Sequence, residues 1–476
     1  MPIVNNNKAM LDQMVVEQLP FIPVTPTAGS SFADDNERFI YAMLPTSTTA
    51  AQFWRFDTWR GSWQQLASPP SLTITTGQIK FTRMVGGVFS GNVFGSIYSF
   101  QANGTVAYWY KYDIATHTWS TLSIATVPAT FGTDCAICFP SPRLNGWDGN
   151  YHAGVTKTIT LNADLAVGAT SATVLALPTA LPAGAILRFG EMSITTTAAI
   201  AKGAISLPVA ALSNAIASGV RLDLADGRYV YTTAAVAAGA TAIPISPASA
   251  GIQTGTSFSV PLLAVLTAAA AANATDVTLA AQMISVVTAS TSLWYDHMYL
   301  VGSNAAVMYR YSLSANLWYT TSANAGNPAI PAITGTVGLG GKIEWLPSTA
   351  AKKEKLWIVR GGATSTVYMY DLVSNSFSTE TYYPATETFT TGTYIAVRQI
   401  ANKNAKMILQ KDATMRLRVG DPQTSTLEPM GTQYLYPTST AITGDRLCCL
   451  TSPDGVEFIY MGLHSSAAFV RMALLD

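Results

Sequence analysis

The stretch Tyr108–Asp113, YWYKYD, with Trp119 six residues beyond its Asp, decides the fold. Aromatic side chains that alternate along a short run read as a strand with one buried face. The Asp reads as the start of a turn, because its carboxylate can accept backbone N–H bonds there. The Trp then opens the next strand and is expected to pack on the neighbouring sheet. The same spacing recurs in FWRFD (Phe53–Asp57) with Trp63, MYRYS (Met308–Ser312) with Trp318, and VYMYD (Val367–Asp371) with Phe377.

Upstream of each copy lies a short apolar run: Phe39–Leu44, Ser96–Phe100, His297–Gly302 and Lys355–Gly362. Two further runs, Lys406–Gln410 and Glu457–Gly462, lead into Met415–Val419 and Phe469–Met472, where the Asp/Trp pattern is incomplete. A third run precedes each hairpin, at Phe21–Pro26, Ile79–Val85, Cys135–Ser141, Ile343–Ser348, Val397–Asn402 and Leu447–Gly455. Four strands recurring every 50 to 60 residues predict an all-β, six-bladed β-propeller. The sixth unit lacks a fourth strand, whereas Gln13–Leu19 (QMVVEQL) is left over at the start. Pairing the two would remove an open edge.

The four-strand unit resembles the kelch motif, whose diglycine is echoed at Gly361–Gly362 and Gly86–Gly87 and is missing elsewhere. The resemblance covers only the propeller part.

The third unit is too long by more than a hundred residues. The excess sits after its first strand, in the a–b loop, and has its own period: Gly168, Gly203, Gly239 and Asn273 are spaced by 35, 36 and 34. Each begins a tight turn followed by a short β run and a Pro-containing loop. The division expected is therefore 1–143 for blades one, two and the start of three, 144–291 for an inserted β-repeat domain, and 292–476 for the rest of the propeller. These "GAT–TVxxL–PAG" units resemble modules of bacteriophage virion proteins. A propeller carrying an inserted domain is similar in plan to tail nozzle proteins.

Composition narrows the function classes. Only 11% of the 476 residues are charged, and 27 Lys plus Arg balance 27 Asp plus Glu. The balance gives no electrostatic reason to expect nucleic acid or an anionic membrane as partner. No apolar signal-peptide core follows the N-terminus, and the Ala-rich stretch at 262–281 is broken by Thr, Asn and Asp, which makes it a poor membrane span. Four cysteines in this length do not make a disulfide scaffold.

The residues that could carry chemistry are scattered. His117, His152, His297 and His464 fall in different units, and none pairs with another at metal-ligand spacing. Cys135 and Cys138, and Cys448 with Cys449, form a superficial zinc set. They lie on first strands of blades three and six, which a six-bladed ring places on opposite sides. The acidic run Asp34–Glu37 lacks a calcium loop. No catalytic motif, cofactor or metal site is expected, and the chain is expected not to be an enzyme. The reading is a structural virion protein of the tail, neck or capsid surface, in a symmetric homo-oligomer touching other virion proteins and assembled in the bacterial cytoplasm. The alternative is a carbohydrate- or receptor-binding adhesin, in which exposed Trp59, Trp147 and Tyr151 stack on sugars.

Overall fold

The computed structural model describes residues 16–474 with interruptions, the longest at 123–134, 140–158, 280–291, 320–329 and 430–443. Regular structure among the described residues is entirely β. Six sheets carry the architecture, five of them of four antiparallel strands and the sixth, blade 1, with a short fifth strand, Gly444–Asp445, parallel to its first. Blade 1 contains Ser30–Asp34, Phe39–Ser47, Ala50–Asp57 and Ser62–Leu66. Blade 2 contains Thr76–Met84, Phe94–Ala102, Ala107–Asp113 and Thr118–Thr121. Blade 3 contains Cys135–Cys138, His297–Gly302, Tyr309–Ser312 and Leu317–Tyr319. Blade 4 contains Lys342–Leu346, Lys355–Val359, Thr366–Asp371 and Ser376–Thr381. Blade 5 contains Tyr394–Arg398, Lys406–Lys411, Arg416–Asp421 and Thr426–Pro429.

Blade 6 takes Leu447–Thr451, Glu457–Gly462 and Phe469–Leu474 from the end of the chain and Val16–Leu19 from its beginning. The register pairs Val16 with Met472, Glu17 with Arg471, Gln18 with Val470 and Leu19 with Phe469. The first strands of the six blades lie side by side in a closed circuit, blade 6 returning to blade 1. The chain is therefore a β-propeller. Residues 13–15 of the leftover N-terminal run lie outside the described residues.

Two strand positions differ from the sequence reading. The first strand of blade 1 is Ser30–Asp34, not Phe21–Pro26. Pro23 and Pro26 have no N–H to give to a ladder. Phe21 is 67% exposed, whereas Ile22 is buried and its N–H donates to the Ala467 carbonyl. The first strand of blade 5 is Tyr394–Arg398, shifted towards the N-terminus from Val397–Asn402.

Second strands read as unbroken apolar runs because both of their faces are covered. Ile40, Ala42 and Leu44 of blade 1 pack with Cys448, Leu450, Tyr460 and Phe469 of blade 6. Tyr41 and Met43, pointing the other way, pack with Ile79, Ile97, Tyr110 and Tyr112 of blade 2. Leu356 to Val359 of blade 4 are likewise all buried. Blades 1, 2 and 3 thus each supply apolar surface to two neighbours, and burial at about 25 cal/mol per Å² accumulates from seam to seam.

The aromatic repeat is a cross-strand pair. Phe56 faces Trp63, Tyr112 faces Trp119, Tyr311 faces Trp318 and Tyr370 faces Phe377. Their ring centroids are 5.0, 5.0, 5.0 and 4.8 Å apart, with interplanar angles between 43° and 51°. Trp63, Trp119 and Trp318 also lie against the third strand of the preceding blade, at Phe469, Phe53 and Trp109. Two indole N–H groups donate across the same seam, Trp63 Nε1 to Pro20 O and Trp119 Nε1 to Ala67 O. The spacing that marks the repeat thus places one ring where it can serve two blades.

Between Cys138 and His297 the described strands pair among themselves. Ser171–Thr173 joins Asp276–Thr278, and Ser206–Pro208 joins Ala242–Pro244. A further sheet runs Ile186–Thr195, Ser257–Val265, Arg221–Leu224, Tyr229–Tyr231. Ile159–Thr160 pairs with Ser292–Leu293. The repeat spacing reappears in the contacts. Gly203 N–H donates to Ala248 O, Gly239 N–H to Leu212 O, and Asn273 N–H to Leu177 O. All three donors have left-handed φ, at 83°, 83° and 65°, the conformation that Gly and Asn tolerate. Among the described residues, the core of this segment draws on residues 161 to 279, among them Leu161, Val174, Leu207, Ile243 and Leu279.

Candidate functional site

In blades 1, 2 and 4 the turn between third and fourth strands has a left-handed residue at the same place. In blade 1 the Asp57 carbonyl accepts the Gly61 N–H, and Gly61 has φ 63°. His117 in blade 2 and Asn375 in blade 4 occupy the same place, with φ 56° and 52°. Where that residue has a side chain, the neighbouring tyrosine binds it: the Tyr112 hydroxyl lies 3.0 Å from His117 Nδ1, and the Tyr370 hydroxyl donates to Asn375 Oδ1. In blade 1 the turn residue is Gly61 and its partner is Phe56, which has no hydroxyl.

Blade 1 departs from the others at the tip of this turn. The residue two beyond Asp57 is Trp59, where the other three copies have Ala115, Ser314 and Val373. Trp59 is 52% exposed. The Arg38 guanidinium lies over its ring, 4.5 Å from the centroid. Arg38 also lies over Phe39 at 5.0 Å, and Arg55 covers Phe39 at 4.3 Å. The result is a ladder of alternating guanidinium and aromatic groups that ends in one half-exposed indole.

Each part of the ladder is anchored. Arg38 Nε and Nη2 donate to Asp57 Oδ1 and Oδ2 at 2.9 and 2.5 Å, a two-pronged ion pair. Thr58 donates both its N–H and its hydroxyl to the Arg38 carbonyl. Asp35 Oδ1 accepts the N–H groups of Arg38 and Phe39. Asp57 Oδ1 accepts those of Trp59 and Arg60 at 3.0 and 3.2 Å. Partial burial works against the Asp57 carboxylate. The Arg38 guanidinium and the two backbone N–H groups outweigh it and hold the carboxyl below its ordinary range. The same bond to Asp57 raises the pKa of Arg38.

Of the other sequence candidates, Trp147, Tyr151, His152 and His464 lie outside the described residues. His117 is the turn residue above. His297 belongs to the second strand of blade 3. Cys135, Cys138, Cys448 and Cys449 are buried on the first strands of blades 3 and 6, which are opposite in the ring. Among the described residues, no group of three His, Cys, Asp or Glu could hold a metal ion, and no helix is long and apolar enough to cross a membrane. Arg38, Asp57 and Arg60 escaped the sequence reading as a set with Trp59. Arg38 comes from the preceding hairpin, and only the pairing of Phe39 with Asp57 brings the two together.

No protein-family model matches the chain, and no curated protein matches it. Among solved structures the chain is similar to the lectin of the fungus Aleuria aurantia, described as a six-bladed β-propeller with a fucose recognition mode. The identity is 8%, the TM-score 0.40, and 93% of this chain and 90% of that chain are covered. It is similar to an α-L-arabinofuranosidase from Fusarium graminearum at 9% identity and TM-score 0.37, covering 96% and 97%. It is also similar to a polysaccharide lyase, an ulvan lyase, at 9% identity and TM-score 0.31, covering 98% and 96%. At this level the likeness carries no argument about ligand or activity. The sequence expectation that the chain is not an enzyme does not stand beside these comparisons, which include an arabinofuranosidase and a polysaccharide lyase. The virion relationship expected from the sequence finds no support in these comparisons.

Proposed function

We propose that this propeller is a carbohydrate-binding module and that Trp59 is its stacking platform. The carrying observation is the half-exposed indole held rigid by Arg38 and Asp57 at a turn where the other copies have small or aliphatic residues. The C–H face of a pyranose is weakly electropositive and suits the electron-rich face of an indole. An aromatic locked beforehand loses little freedom on binding. Arg38 occupies one face of Trp59 and leaves the other to the ligand.

The experiment is a glycan array probed with the full chain. Saturable binding to a defined sugar, lost in Trp59→Ala while the melting temperature holds, supports the reading. Absence of binding across the array, or binding indifferent to Trp59→Ala, contradicts it.

A second reading, a scaffold in a bacteriophage particle, is favoured by the segment between Cys138 and His297. We read it as an inserted domain over 144–291, in a propeller of kelch-like type. Its repeats share a core of their own and expose Leu175 and Ile205, at 52% and 66%. Exposed apolar side chains on a poorly charged surface suit contact with other subunits. In that setting the chain forms a homo-oligomer within a virion. Purified protein that assembles into rings without any glycan supports this reading over the first.

A further inference from the structure

We propose that the Trp59 platform selects sugars that carry a negative charge, a uronate or a sulfated residue, and that Arg60 reads that charge. The proposal rests on the carbohydrate reading above and deepens it.

Beside Trp59 stand two guanidinium groups, Arg38 and Arg60, and the Asp57 carboxylate, while the Asp35 carboxylate binds the backbone N–H groups of Arg38 and Phe39 and acts on Arg38 as well. Asp57 is committed. Both of its oxygens bind Arg38, and Oδ1 also accepts the two backbone N–H groups of the turn. Arg38 is committed in turn, with its charge neutralised by Asp57 and its plane stacked between Trp59 and Phe39. Arg60 differs. Its side chain is 78% exposed, and its ion pair with Asp57 is long, at 3.8 Å. An exposed pair at that distance contributes little.

Arg60 is therefore the guanidinium beside the indole that no short ion pair holds, on the residue adjacent to it. A guanidinium offers a planar pair of donors that matches a carboxylate or sulfate. A neutral sugar stacked on Trp59 leaves that fork in water, whereas an acidic one can engage it with its anionic group. The preference is electrostatic and lies near the surface, so salt weakens it.

The test uses the full chain with an oligogalacturonate and its fully methyl-esterified counterpart, two ligands of one shape and different charge. The acid is expected to bind about tenfold more tightly than the ester at low salt. The gap is expected to narrow as salt rises. Arg60→Gln is expected to bring the acid to the level of the ester, and Arg60→Lys to restore part of the difference. Equal binding of acid and ester, or a gap that survives in Arg60→Gln, overturns the charge selection and leaves the platform intact. Loss of all sugar binding, or binding unaffected by Trp59→Ala, instead fails the carbohydrate reading itself.

Discussion

The Tyr370 hydroxyl donates to Oδ1 of Asn375 across the outer turn of blade 4, and Asn375 sits at φ 52°. Blade 1 builds the same turn from Phe56 and Gly61. Two chemistries thus stabilise one backbone shape: a side-chain bond that holds a strained Asn, or a Gly that carries no strain.

This relationship predicts coupling. Tyr370→Phe is expected to cost about 1 kcal/mol, the net worth of one hydrogen bond. Asn375→Gly is expected to cost about 1 kcal/mol, because it removes the acceptor of the Tyr370 hydroxyl while Gly tolerates the left-handed φ. The double change Tyr370→Phe with Asn375→Gly copies blade 1 and is expected to cost less than the two single losses combined. Urea unfolding of the four proteins gives the cycle, and strict additivity would count against the turn account.

Aromatic residues of the repeat and of the platform should separate by stability. Trp318 is buried between blades 2 and 3, so Trp318→Ala is expected to cost about 3–5 kcal/mol. Trp119→Phe keeps the ring and loses the bond to Ala67, for about 1 kcal/mol. Trp59→Ala loses an exposed ring and its guanidinium contact, and is expected to stay within about 1 kcal/mol of the parent. Thermal unfolding ranks the three.

Asp57 sets an acid-side dependence. Its folded pKa lies below the unfolded value, so its contribution is fully present above the ordinary carboxylate pKa and is lost as pH falls through the folded one. Unfolding measured downwards from neutral pH should show the parent losing more stability than Asp57→Asn below about pH 4. Parallel profiles for the two proteins would deny Asp57 this role.

The segment over 144–291 should be removable. Joining residue 143 to residue 292 leaves the paired strands Cys135–Cys138 and Tyr299–Gly302 in the chain, and among the described residues the propeller clusters beside them contain none from the segment. The shortened chain is expected to unfold cooperatively and to retain any sugar binding that depends on Trp59. An aggregated product would speak against two separate cores.

The propeller was legible because its signals are local and repeated. An aromatic, an Asp and a second aromatic six residues on lie within one hairpin, and each hairpin closes its own ring pair, as Tyr112 does with Trp119. The first strand of blade 1 was misplaced because FIPVTP offers apolar residues without a ladder, whereas SSFAD offers a ladder with few apolar residues. Ser30 and Ser31 are fully buried there, and the Ser31 hydroxyl accepts the Ile79 N–H of blade 2. A polar strand satisfied by its neighbour carries no hydropathy signal. The platform was half legible. Trp59 was named with Trp147 and Tyr151 as an exposed aromatic of the adhesin alternative, but its partner Arg38 lies in another turn and is joined to it only by the fold.

The account stands on the beginning and the end of the chain sharing one sheet. Glu17 and Arg471 are register partners, joined by a 2.6 Å ion pair, and both are reachable from solvent. Cross-strand partners fall within the Cα separation that a disulfide spans. In the variant Glu17→Cys/Arg471→Cys, mild oxidation is expected to link residue 17 to residue 471 within one chain, seen as a single cross-linked peptide by mass spectrometry. Two new thiols that react freely with a maleimide and never join each other would contradict the closed ring.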